Sequence, residues 1–62
     1  MLVPKEVFEG ITAVRDSGLT NMFAVSTVID LCYDMGYDDA AEWVANAKGD
    51  YVKGIFEGFE SE

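Results

Sequence analysis

The sequence predicts an all-α fold: a small helical bundle of three main helices plus a short C-terminal helix, with residues 1–62 as a single domain. Three observations carry this. Apolar residues recur at spacings of three and four in successive windows, the period of one helix face. Glycines punctuate those windows: Gly18 and Gly36 stand where a left-handed residue ends a helix, and Gly49 breaks the third pattern. No window alternates apolar and polar residues as a half-buried strand does.

The elements follow in order. Val3, Val7, Ile11 and Val14 form the first stripe, with Phe8 beside it. Pro4 suits the opening turn, where its missing N–H would have no partner. Glu6 and Glu9 sit near the positive end of the helix dipole. Gly18 stops the helix, and Leu19 is expected to fold back on Val14. Thr20 and Asn21 supply turn chemistry. Met22 and Phe23 are too apolar to be left in water without a reason, so they are expected under the domain or against a partner. The second stripe is Val25, Val28, Ile29, Cys32 and Met35, opposite Ser26, Asp30, Tyr33 and Asp34.

Beyond Gly36, Asp38 and Asp39 open a third helix, and Asp39 with Glu42 has the spacing of a capping box. Its inner face is Ala40, Ala41, Trp43, Val44 and Ala47. Trp43 is read as the central core anchor, since little else is bulky enough to fill a domain of this size; the other reading is an interface hot spot. Gly49 breaks the pattern and Asp50 is expected to cap the short fourth helix, where Val52, Ile55, Phe56 and Phe59 share a side. Gly54 and Gly58 each cost about 1 kcal/mol relative to Ala, which predicts close approach to another helix. The tail, Glu60 to Glu62, is expected to fray.

Composition narrows the function classes. A chain of 62 residues buries only about 60% of its unfolded surface, so its stability is marginal and a partner subunit would help. One cysteine and no histidine exclude an internal disulfide and leave no ligand set for structural zinc. Twelve acids against four bases give a net charge of −8, and no basic residue lies between Arg15 and Lys48. Such a field repels nucleic acid and anionic membrane and attracts basic partners. Neither a signal peptide nor a membrane span is expected, which with the lone Cys32 points to a reducing cytoplasm.

Catalysis finds no support. Asp30 and Asp34 share a helix face at i, i+4, but acid–base work needs one pKa shifted by burial, and both lie opposite the apolar stripe. The stretch DMGYDDAAEWV lacks the register of a calcium loop. Cys32 lies on the core stripe, where a thiol behaves as a small hydrophobe. No enzyme activity and no cofactor are expected. The remaining candidate is an acidic face of Asp30, Asp34, Asp38, Asp39 and Glu42 around the Gly36 turn. Carboxylates at such spacings can stand in for phosphates before Arg and Lys, although acidity can also serve solubility alone. Excess apolar surface predicts a homodimer, with Phe23, Ile55, Phe56 and Phe59 as participants.

The block R-D-S-G-L-T-N-M-F, followed by V-I-D-L, D-M-G-Y and A-E-W, resembles a family of short uncharacterised bacteriophage and prophage proteins over about Val7 to Phe59. That family usually has an acidic residue after the Phe; here Ala24 stands there, leaving capping of the second helix to Asn21, to Ser26 or to no residue. The resemblance implies a phage origin. With that origin comes the expectation of an inhibitor of host defence, such as restriction or CRISPR, docking on a basic host protein. The alternative is a structural or regulatory phage protein acting through an apolar interface. A weaker likeness is to ubiquitin-associated three-helix bundles, with Met35, Gly36 and Tyr37 at the place of their binding loop, and it is a likeness of architecture.

Overall fold

The computed structural model describes residues 1–62 and is an all-α bundle. Its helices are α1 (Lys5–Ser17), α2 (Val25–Asp34), α3 (Asp38–Asn46) and α4 (Lys48–Glu57). Two short strands, β1 (Leu2–Val3) and β2 (Glu60–Ser61), pair in parallel, with Leu2 opposite Glu60 and Val3 opposite Ser61.

The core is built from the predicted stripes. Val7, Ile11 and Val14 of α1, Val28 and Cys32 of α2, and Ala40, Ala41 and Val44 of α3 are buried. The third helix packs on both of the first two. Its alanines allow this, since small side chains let backbones approach. The tightest contact is at Gly10 of α1. A Cβ there would collide with the Cβ of Ala40 and lie 2.9 Å from that of Tyr37.

The turn after α2 is a Schellman motif. Gly36 is left-handed (φ 87°), its N–H donates to the Tyr33 carbonyl, and the N–H of Tyr37 donates to the Cys32 carbonyl over 2.7 Å. Tyr37 then packs on the core as the apolar residue after the stop. Gly18 likewise closes α1 in the left-handed region.

Several expectations are corrected. The tail does not fray: Glu60 N–H donates to the Met1 carbonyl and Glu62 N–H to that of Val3. Two-residue strands have no periodicity to read, and the pairing exists because Gly58 turns the chain back toward the buried Val3. The fourth helix is as long as the second and starts at Lys48, so Gly49 lies inside its first turn and Asp50 does not cap it. No Asp39–Glu42 capping box forms; Tyr37 holds the N-cap position without a side-chain bond. Of the alternatives for the second helix, the uncapped one holds: the Asn21 side chain accepts from the N–H of Phe23 at 2.8 Å instead.

The core anchor differs as well. Trp43 is half-buried at the edge, and the largest fully buried side chain is Tyr51. Its ring stacks on Phe59, with centroids 5.9 Å apart. Trp43 meets the same Phe59 edge-on at 6.1 Å. Gly54 makes room for this Phe59 ring rather than for another helix, and Gly58 has open space around it. Leu19 and Met35, expected to be covered, are exposed.

Candidate interaction site

The close approach at Gly10 decides what the surface above it looks like. Gly10 meets Ala40, so the turn of α1 before Gly10 lies beside the residues before Ala40. Those are Glu6 and Glu9 on one side and Asp38 and Asp39 on the other. Together with Gly36 and Tyr37 they line an open cleft of about 340 Å³. Four carboxylates thus converge where two helices begin.

Helix dipoles make this tolerable. Glu6 falls in the first turn of α1, and Asp38 and Asp39 in the first turn of α3, so three of the four carboxylates face a positive helix end. The only cation nearby on the same helix is Lys5, 4.0 Å from Glu9, and both side chains are largely exposed. Such a pair contributes little. The other ion pairs, Arg15–Asp16 and Lys53–Glu57, do not involve the cleft.

Of the five acids singled out in the sequence, Asp38 and Asp39 line the cleft. Asp30 and Asp34 on α2 and Glu42 on α3 are exposed outside its lining. Glu6 and Glu9 were read only as dipole partners of α1, and no one-dimensional pattern could have joined them to Asp38. Tyr33 and Met35, just before the cleft glycine, are 48% and 42% exposed. They put two large apolar side chains on either side of Asp34 along the chain. Periodicity placed Met35 on the core stripe, but it holds the C-cap position of α2, where the stripe leaves the core.

The apolar residues assigned to an interface divide. Phe23 and Phe56 are exposed and touch, with ring centroids 5.5 Å apart. Ile55 and Phe59 are half-buried against the core. Cys32 is fully buried, and burial pushes its thiol pKa up. No group of three or more His, Cys, Asp or Glu is arranged to hold a metal ion. No helix is long and apolar enough to cross a membrane.

A family model described as a domain of unknown function, DUF5049, matches residues 4–59. Neither the curated proteins nor the solved structures contain a match to the chain.

Proposed function

The chain belongs to the DUF5049 family, and on that premise we propose that it is a non-enzymatic binding protein that docks an acidic face on a basic surface of another protein. The observation that carries this reading is the convergence of Glu6, Glu9, Asp38 and Asp39 on one cleft, with the exposed Tyr33 and Met35 just before its Gly36 in the chain. Carboxylates supply charge-assisted bonds to Arg and Lys. Exposed aromatic and thioether side chains supply the apolar anchors that a purely solubilising surface has no use for. Asp30, Asp34 and Glu42 extend the same negative field and steer the encounter.

The likeness to short bacteriophage and prophage proteins supports a finer reading. In it the protein works in the host cytoplasm and inhibits a defence system, anti-CRISPR or anti-restriction in kind. The acidic face would occupy a groove built for nucleic acid, its carboxylates in the place of phosphates. A second reading, a structural or regulatory phage protein acting through apolar contacts, is favoured by the exposed Phe23–Phe56 pair.

Co-purification from host bacterial lysate tests the first reading, with wild type against the double variant Asp34→Lys, Asp38→Lys. A basic partner held at low salt, released at high salt and absent from the double variant is the expected result. The same partner held equally by the double variant overturns it.

A further inference from the structure

Phe59 is the one residue after α4 that the fold partly covers; Gly58, Glu60, Ser61 and Glu62 are all exposed. Its ring lies over Gly54, where an added Cβ would overlap it, and it stacks on Tyr51 and meets Trp43 edge-on. A shaped seat thus receives one phenyl ring. The seat borders an apolar groove of about 160 Å³, whose lining includes Gly54, Gly58 and Phe59 itself together with Phe8 and Ile11 of α1.

Residues 58–62 are held lightly. Beyond the ring, they are tied to the first residues of the chain by three backbone bonds. The Met1 amino group donates to the Gly58 carbonyl at 2.8 Å, the Glu60 N–H to that of Met1 at 2.8 Å, and the Glu62 N–H to that of Val3 at 3.0 Å. Neither Glu60 nor Glu62 makes an ion pair. The buried apolar core includes nothing after Tyr51, so the segment can leave without taking a core residue with it. Gly58 is the natural pivot. Its φ of 89° and ψ of 144° form a conformation that glycine adopts freely and other residues rarely do.

We propose that residues 58–62 are an autoinhibitory strap, which opens at Gly58 as a unit, separately from the helices, and vacates a seat that then takes an aromatic group of another molecule. Segments with few buried contacts and solvent-exposed hydrogen bonds open at a lower free energy than the core does. The chemistry of the occupant is argued from what fills the seat now, a phenyl ring against Tyr51 and Trp43. Departure of Phe59 also removes one wall of the groove, so seat and groove merge into one larger apolar recess. While the strap is closed, an outside ring competes with Phe59. Its apparent affinity is the intrinsic one reduced by the fraction of molecules that are open. The strap shares no residue with the acidic cleft, so the proposal stands independently of the acidic-face reading.

Native-state hydrogen exchange by nuclear magnetic resonance tests the opening, on wild type and on Gly58→Ala. A Cβ at Gly58 meets nothing within 4 Å, so this variant acts through the backbone conformation alone. In wild type, the Glu60 and Glu62 amides are expected to exchange at least tenfold faster than those of Val28 and Cys32 after correction for intrinsic rates, and with less dependence on denaturant. Gly58→Ala is expected to raise strap opening by roughly tenfold or more, as strain at such a position does. The seat is probed with N-acetylphenylalanine amide, followed at the Trp43 indole resonance, with N-acetylalanine amide as the control. Its apparent affinity is expected to rise in Gly58→Ala by the same factor as the opening. Circular dichroism establishes that the helices of the variant are formed. Strap amides in wild type that exchange only with the core overturn the opening, whether or not the variant folds. A strap that opens in Gly58→Ala while the phenyl probe binds no better than to wild type, or no better than the alanine control, overturns the autoinhibitory role.

Discussion

The hydroxyl of Tyr51 donates a hydrogen bond to the backbone carbonyl of Met22 at 2.7 Å, across 29 residues of chain. It ties α4 to the loop between α1 and α2. The ring is wholly buried, and its one polar atom finds an acceptor that the loop would otherwise leave unpaired. This contact, more than any stripe, fixes where the fourth helix sits.

Tyr51→Phe keeps the ring and removes the donor. It is expected to cost about 1–3 kcal/mol, because the Met22 carbonyl loses its partner in a part-buried place. Urea unfolding at neutral pH measures this. An unchanged midpoint would show that water replaces the hydroxyl without cost.

The same residue sets an alkaline limit. Burial, aided by the nearby Cys32, pushes the Tyr51 pKa from its ordinary 10.0 up to about 12. The unfolded chain therefore ionises first. The Tyr51 contribution is complete below pH 10.0 and is lost as pH rises toward about 12. Cys32, shifted upward by burial, acts with the same sign from its ordinary 9.0 upward. Stability against pH is expected to fall in this window by on the order of 2 kcal/mol or more, and to fall less in Tyr51→Phe.

Two glycine-to-alanine changes should move stability in opposite directions. At Gly10 the new methyl meets the Cβ atoms of Ala40 and Tyr37, close to the backbone at the start of α3, so a loss of about 1–3 kcal/mol is expected. At Gly49, in the first turn of α4, the methyl meets nothing within 4 Å. A gain of up to about 1 kcal/mol is expected there from helix propensity. Thermal melts of the two variants side by side decide it. Equal shifts of the same sign would contradict the packing at Gly10.

Charge reversal at Asp34 and Asp38 is expected to leave the fold intact, since both side chains are exposed and neither makes an ion pair. Melting temperature should change little, since the repulsion around the cleft relaxes while Asp38→Lys puts a cation at the positive end of α3. A cooperative loss of structure in the double variant would mean that these carboxylates serve the fold rather than a partner.

Cys32 should be inert toward thiol reagents in the folded protein and react at the rate of unfolding. It is fully buried and its thiol is held neutral by burial. Fast labelling under native conditions would show that α2 opens locally.

The sequence by itself determined the helical class, the stripes of α1 to α3 and the stop at Gly36. These rest on interactions within about four residues, which a one-dimensional pattern records. Cys32 was legible as core for the same reason. Tertiary structure decided what depends on residues far apart. The choice of Tyr51 over Trp43 as anchor follows from which helix reaches the centre, and the inner face of α3 is made of alanines precisely where α1 comes closest. The β1–β2 pairing joins the two ends of the chain through hydrogen bonds that no spacing announces. Half of the acidic cleft was visible as Asp38 and Asp39. Glu6 and Glu9 joined it only because Gly10, lacking a side chain, lets α1 lie against Ala40.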